Sequence, residues 1–308
     1  MASHEDTGHF HYHEPGLQHQ FEDMGQQEES VSIGMWMFLV QEIMFFGGLF
    51  SAYLVFRWKF PMAFAAGSNH LDAFWGGLNT LVLIVSSLTM ALTVFFAQKN
   101  RRNMQVIMIL LTMVFGATFL AVKVIEYTDK YNHGLVPVTG WNKKTPPGVE
   151  EHKPTAPCWE HTEEHVYVNP KGEFQFKDCS LAKMAEEEGI LTESEKVGYY
   201  NPSTGQIDAD KFRDKVRIFY YLYFVMTGLH ALHMIVGLGL MSWLLFAAWR
   251  GDFSFQYYAP VEMSGLYWHF VDIVWIVIFT LVYLIGGFDA GPTAAGVVTG
   301  TSPLVFPA

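Results

Sequence analysis

The sequence predicts an all-α membrane protein, a bundle of five transmembrane helices with a small polar insertion between the third and the fourth. Its apolar residues fall into blocks of about 20 or more, the length of a helix that crosses a bilayer. These blocks are continuous, whereas the strands of a membrane barrel alternate between apolar and polar residues. Most of the charged residues behind the net charge of −11 lie outside the blocks.

The chain begins with an acidic, histidine-rich segment, residues 1–30, that has almost no aliphatic side chains. We expect a disordered tail there, because such a composition cannot bury a core. The segment lacks the basic and apolar regions of a secretory signal peptide. No basic patch is large enough to indicate a nucleic-acid partner.

The apolar blocks define five spans, which we expect at residues 31–56, 74–97, 104–125, 216–249 and 263–287. The first three spans form the region 31–127, and the last two form the region 216–288. A tight connection at 98–103 joins spans 2 and 3. The segment 289–308 is rich in Gly, Thr and Pro and has no pattern that would pack.

Basic residues in the short connections predict the orientation of the bundle. The connections 98–103 and 250–261, on the same side as the N-terminus, carry more of them than 57–73. The positive-inside rule therefore predicts a cytoplasmic N-terminus, with the insertion and the C-terminus outside. Arg250 then lies at the inner surface, where we expect it to contact lipid headgroups. Lys123 and Glu126, one helical turn apart, are expected to pair near the outer end of span 3.

The insertion, residues 128–215, is polar but carries local signals of structure. Alternating strand residues around a turn predict a hairpin at 166–176, and a weaker version follows at 199–207. Residues 180–188 are expected to form a short helix that ends before a glycine. Because the insertion is acidic, we hypothesise that it docks onto another exported protein.

Two cysteines and two histidines lie close together in the insertion, at Cys158, His161, His165 and Cys179. Cysteine and histidine at such spacing are ligands that bind Zn²⁺ tetrahedrally. If the insertion is periplasmic, a disulfide between the two cysteines is an alternative. Free cysteines are the third possibility, and the sequence leaves all three open.

Titratable side chains interrupt the spans at one depth. On the helical rise of about 1.5 Å per residue, they lie roughly 7 to 15 Å from the inner face of the membrane. These side chains are Glu42, His230, His233, His269 and Asp272. Each one needs a partner inside the membrane, so we expect a single polar network that joins spans 1, 4 and 5.

Three interpretations of this polar layer remain open. It can hold the helices in register. Glu42 can instead be a proton-active acid, or can act on lipid or on proton access for a partner protein. In the third interpretation His230 or His233, together with His269, binds a haem between spans 4 and 5. A transporter is a further alternative, but transporters often show inverted repeats and broken helices, and the sequence has neither an internal repeat nor Pro inside the spans.

Five stretches carry a resemblance to a known family, and they are Gln41–Phe50, Leu78–Thr80, Glu126–Tyr127, Thr227–His233 and Trp268–Trp275. With these residues the chain resembles subunit III of haem–copper oxidases, the family of the cytochrome c and quinol oxidases. The resemblance covers 31–127 and 216–287. It is to the five-helix bacterial form of the family, which lacks two helices that longer members carry at the N-terminus. The insertion replaces what is usually a short connection.

The resemblance implies a subunit without redox metals in the bacterial cytoplasmic membrane, with haem and copper in partner subunits. Such a subunit packs on subunit I, in a complex with subunit II. With this resemblance, a cytochrome or a neighbouring respiratory complex is the expected partner of the insertion 128–215. The subunit holds phospholipid and supports proton uptake by a terminal oxidase that reduces O₂ to water and pumps protons. A quinol oxidase or a relative associated with nitric oxide reductases is the alternative. Glu42 takes the place of the family's membrane carboxylate, and its packed polar positions fall on His230, His233, Glu262, Trp268, His269 and Asp272.

Overall fold

A computed structural model of the chain describes residues 17–18, 20–69, 71–132, 135–137, 189, 191–200, 202–203, 207–253 and 257–284. Within these ranges the chain forms seven α-helices: α1 Met24–Lys59, α2 Pro61–Asn69, α3 Ala73–Gln98, α4 Arg102–Asn132, α5 Glu193–Tyr199, α6 Ala209–Arg250 and α7 Ala259–Phe279. A π-helical turn, Thr280–Leu284, continues α7. Five helices (α1, α3, α4, α6 and α7) are long and apolar enough to cross a membrane, which confirms the prediction of five membrane helices.

Several spans run further as helices than the apolar blocks indicated. At the start of α1, the Asp23 side chain accepts a hydrogen bond from the Gln26 N–H at 2.7 Å and so caps the helix. Residues 24–30 therefore belong to a helix, and the prediction of a disordered tail is wrong for them. Hydropathy marks where a helix leaves the apolar layer, but polar residues with good helix propensity extend it further.

The connection between α3 and α4 is as tight as predicted. Asn100 adopts a left-handed backbone conformation with φ of 53°, which asparagine tolerates better than most residues. The Arg101 N–H donates to the Phe96 carbonyl, closing the end of α3.

Helix α2 lies in the connection between spans 1 and 2 and was not predicted. It has nine residues, too few to cross a membrane, and begins with a proline at its first position. Its residues 62–68 are buried. A Cβ added to Gly67 would overlap the Phe219 ring, so the glycine allows α2 to lie against α6.

Helices α3, α4, α6 and α7 form the centre of the bundle around Trp268. A Cβ added to Gly116 on α4 or to Gly237 on α6 would lie within 3.0 Å of the Trp268 ring. The two glycines therefore form the sides of the slot that holds this ring. The Trp268 indole N–H donates to Ser86 Oγ on α3 at 3.1 Å. One side chain thus contacts all three neighbouring helices.

Helix α1 lies at the edge of this bundle. Its buried side chains Leu39, Phe46 and Tyr53 recur every seven residues, so it contacts the other helices through a narrow stripe. Only 17% of its most apolar window is buried, against 28–56% for the other four spans. Most of the α1 surface is therefore exposed on this chain.

The π-helical turn at the end of α7 is held by two neighbouring helices. Tyr53 OH on α1 donates to the Leu281 carbonyl at 3.0 Å, and Ser68 Oγ on α2 donates to the Val282 carbonyl at 2.7 Å. These side chains satisfy backbone carbonyls at the end of a helix, which otherwise lack partners in an apolar environment.

Helix α5, from the end of the insertion, caps the start of α2. The Glu195 side chain is fully buried, and its carboxylate accepts from the Met62 N–H at 2.8 Å. Tyr199 OH donates to the same carboxylate at 3.0 Å and accepts from the Ala63 N–H at 3.2 Å. Burial raises the pKa of the Tyr199 phenol, and the neighbouring carboxylate raises it further, so Tyr199 stays a donor. Two free N–H groups of α2 are thereby satisfied.

Most of the other features predicted for the insertion cannot be compared with the structure. The hairpin at 166–176, the helix at 180–188 and the set Cys158, His161, His165 and Cys179 lie outside the described residues. In the segment 199–207, Tyr200 and Ile207 form one antiparallel bridge. Tyr199 ends α5, so the prediction of a strand is wrong at that residue.

Replacing Glu195 by Ala should lower the free energy of unfolding by roughly 2–3 kcal/mol, because buried donors on α2 lose their acceptor. Denaturant unfolding of the detergent-solubilised chain measures this change. Glu193→Ala, on the same short helix, is the control: Glu193 is exposed and its loss should cost less than about 0.5 kcal/mol. Equal effects of the two replacements would contradict the capping role.

Candidate functional site

Within the predicted polar layer, Glu42 on α1 contacts His233 on α6. This contact joins two of the three spans of the expected network. The distance between Glu42 Oε2 and His233 Nε2 is 3.1 Å. His233 Nδ1 lies 2.8 Å from the Leu229 carbonyl, which can only accept a hydrogen bond. Nδ1 therefore carries a proton. For Nε2 to hydrogen-bond to Glu42, one proton must lie between them, on either the carboxyl group or the imidazole.

This Glu42–His233 pair lies at the edge of the bundle. The side chain of Glu42 is 13% exposed and that of His233 is 17% exposed. The Phe46 ring packs 5.3 Å from the imidazole, and Tyr267 OH donates to the His233 carbonyl at 2.9 Å. The pair is therefore held on its inner side and partly accessible from outside the chain.

His269 pairs with a different helix from the one predicted. Its Nδ1 lies 2.6 Å from Ser87 Oγ on α3, and the described parts of α1 and α6 provide no partner. Asp272, one turn further along α7, is 4% exposed, and neither carboxyl oxygen has a hydrogen-bond partner among the described residues. Ser87 also approaches this carboxyl group, but without hydrogen-bond geometry.

His230 is separate from both groups. It is 1% exposed, and its ring packs between those of Phe119 at 5.4 Å and Trp275 at 5.1 Å. Within the described part of the chain, neither ring nitrogen has a hydrogen-bond partner. The prediction of one network through spans 1, 4 and 5 is therefore wrong. The layer consists of the Glu42–His233 pair, the His269–Ser87 pair and two buried side chains without partners among those residues.

The haem hypothesis does not fit this geometry. His230 is enclosed by two aromatic rings, and both nitrogens of His233 already have partners. Where α6 and α7 meet, the Trp268 ring packs directly against Gly237. This packing leaves no room for a porphyrin between the two helices.

Two residues of the predicted set lie on the surface. Glu262 is exposed in the first turn of α7, although the resemblance implied a packed position. Arg250 ends α6 with its side chain 60% exposed, and its guanidinium lies 3.7 Å from the Asp252 carboxylate. The contact of Arg250 with a lipid headgroup stays a prediction, with which its exposure agrees.

At the other end of the bundle, Lys123 and Glu126 pair as predicted, with 2.7 Å between Lys123 Nζ and Glu126 Oε2. The cluster is larger than the sequence indicated. Tyr223 OH and Tyr283 OH each donate to Glu126 Oε1 at 2.6 Å. The ammonium group also lies 4.5 Å from the centre of the Trp275 ring. Both tyrosines were missed, because tyrosine is common in apolar blocks and nothing local marks these two.

The described residues contain no group of three or more His, Cys, Asp or Glu side chains that could hold a metal ion. The candidate zinc or disulfide set of the insertion stays untested, since it lies outside those residues.

Comparisons with known proteins agree with the resemblance. The model of the family Cytochrome c oxidase subunit III matches residues 209–287, which contain α6 and α7. The cytochrome c oxidase subunit 3 of Thermostichus vulcanus is 25% identical and covers 83% of this chain and 88% of its own length. A probable quinol oxidase subunit 3 of Staphylococcus haemolyticus is 23% identical over 84% of this chain and 90% of its own. The cytochrome c oxidase subunit 3 of Synechocystis sp. is 27% identical over 82% of this chain and 74% of its own length.

Replacing Lys123 by Met should lower the free energy of unfolding by roughly 3–5 kcal/mol, because it leaves the buried Glu126 carboxylate without its cation. Thermal or denaturant unfolding in detergent measures the loss. Lys99→Met is the control, since Lys99 is exposed at the opposite end of the bundle. The double replacement Lys123→Met with Glu126→Gln should recover part of the stability. If Lys123→Met behaves like the control, the cluster does not stabilise the bundle.

Proposed function

We propose that this chain, which belongs to the subunit III family of haem–copper oxidases, supports proton uptake by the oxidase through its Glu42–His233 pair. The chain is an integral membrane protein and an accessory subunit of such an oxidase. In this proposal it packs on subunit I beside subunit II, in an oxidase that reduces O₂ to water and pumps protons. Haem and copper reside in those partners.

One observation carries the proposal. The hydrogen-bond pattern of His233 requires one proton between Glu42 and His233, and both side chains are partly exposed at the edge of the bundle. A carboxyl and an imidazole that share a proton can pass it to, or receive it from, a neighbouring acceptor. A group of a partner protein can approach this pair, whereas the buried His230 and Asp272 are closed to it.

Phospholipid binding is the second part of the proposal. Apolar side chains on the outer surfaces of α3 and α4, such as Leu88 and Leu110, are exposed, which suits contact with acyl chains. At one end of the bundle, Lys99, Arg102 and Arg250 are exposed and provide cations for phosphate headgroups. We place this end on the cytoplasmic side of a bacterial inner membrane, because its connections are the more basic ones.

The oxidase to which this chain belongs can take its electrons from cytochrome c or from quinol, and the two donors define two candidate functions. Relatives of similar identity are named as subunits of cytochrome c oxidases and of probable quinol oxidases. We place cytochrome c oxidase first and quinol oxidase second. The net negative charge of the insertion favours the first candidate, since it would attract a basic cytochrome.

Purification of the tagged chain from its native membrane tests the assignment to a complex. We expect a large subunit with haem and copper to co-purify, identified by mass spectrometry and by its visible spectrum. A tagged chain that purifies without other oxidase subunits would contradict the proposal. A haem spectrum from this chain alone would favour a self-sufficient haem protein.

Replacing Glu42 by Gln tests the role of the pair. The amide that replaces the carboxyl group is not acidic, but its N–H can still donate to His233, so assembly should stay intact. We expect slower O₂ reduction by the purified complex at alkaline pH, where proton supply limits turnover. Glu28→Gln, an exposed position near the start of the same helix, is the control. Equal rates for the parent and Glu42→Gln over the whole pH range would show that the pair only holds helices together.

A further inference from the structure

We infer that the outward face of α1 receives a transmembrane helix of another oxidase subunit, one with a hydrogen-bonding side chain at the level of Gln41. This contact depends on the proposed function in one respect, namely that the chain works inside an assembly. It goes beyond that function because it names the face of α1 that is contacted, the depth of the contact in the membrane and the kind of side chain that the partner provides.

Gln41 is a strongly polar side chain in an unfavourable place. It lies at the middle of the 36-residue helix α1, it is exposed, and it has no hydrogen-bond partner in the part of the chain that the structure describes. Its amide group has two donor hydrogens and a carbonyl acceptor. Acyl chains at mid-membrane depth satisfy none of them.

Two exposed polar side chains on the outer surface of other spans are satisfied within this chain. Thr118 on α4 donates to the Val114 carbonyl at 2.8 Å, and Ser242 on α6 donates to the Leu238 carbonyl at 2.7 Å. Glu42, next to Gln41, pairs with His233. The amide of Gln41 has no such partner, and a group from outside the described part of the chain would satisfy it.

The surface around Gln41 allows close approach of a helix. Gly34 and Gly48 lie seven residues before and after Gln41, and a Cβ added to either would have no atom within 4 Å. All three positions are exposed and share one face of α1. Small residues at heptad spacing let a second helix pack in the left-handed geometry common in membrane bundles.

The occupant we assign is a helix of another subunit. The chain belongs to a family whose relatives are named as one numbered subunit of an oxidase. Its α1 is also the span with the least buried surface among the five. The acyl chain of a lipid would cover this face of α1 but would leave the Gln41 amide without a hydrogen-bond partner. Because Gln41 and Glu42 are adjacent, a helix seated at Gln41 passes beside the Glu42–His233 pair.

The test uses the purified complex with Gln41→Leu and with Gly48→Leu. Loss of one interhelical hydrogen bond in Gln41→Leu should weaken retention of this chain by roughly three- to thirtyfold as detergent is raised, measured as the amount of chain per catalytic subunit. Gly48→Leu should weaken retention too, by blocking close approach. Gly239→Leu is the matched control, since Gly239 on α6 is equally exposed and open.

The parent protein separates this inference from the proposed function. If the parent chain does not co-purify with a catalytic subunit, the proposed function fails. If it does, and both replacements are retained as well as Gly239→Leu, the face of α1 contacts lipid and the inference is overturned. A Gln41→Cys variant labelled with a photo-activated maleimide cross-linker should attach to a different subunit on irradiation. Cross-links between two copies of this chain would also overturn the inference.

Discussion

Hydrogen bonding inside an apolar layer is the constraint on which the rest of this structure depends. A polar group that leaves water must find a partner, and in this bundle the partner is often on another helix. The indole N–H of Trp275 donates to Thr80 on α3, and Ser68 on α2 donates to the last turn of α7. Each such bond fixes the rotation of one helix against another, which apolar contacts between similar side chains do not.

The two main polar clusters of the bundle differ in how fully their polar atoms are hydrogen-bonded and in how far they are buried. Around Lys123, which is 4% exposed, the cation, the carboxylate and two tyrosines satisfy one another across α4, α6 and α7. Because these groups are already paired, we expect the cluster to hold α4, α6 and the π-helical turn in register. Among the described residues the Glu42–His233 pair joins α1 and α6, and it is partly exposed. A partly exposed pair at the edge of the bundle is therefore the better candidate for exchanging a proton with a partner protein.

The sequence predicted those features that depend on one segment alone. Hydropathy located five spans, and a separation of three residues predicted the Lys123–Glu126 pair. Features that need two segments were beyond it: Ser87 as the partner of His269, and Tyr283 as a donor to Glu126. These contacts depend on how each helix is rotated about its own axis. Nearly uniform apolar blocks contain little information on that rotation, so residues at one depth were predicted to meet although they face different neighbours.

The way α1 is attached explains why its free face matters. Near its end, Tyr53 and Arg57 hydrogen-bond to the Leu281 carbonyl, and α2 follows directly, capped in turn by α5. At mid-membrane depth the polar attachment within the described residues is the single bond between Glu42 and His233. A helix that is fixed at one end and lightly held at its middle responds to whatever packs on its other side. We therefore expect that the proposed partner at Gln41 affects the distance between Glu42 and His233.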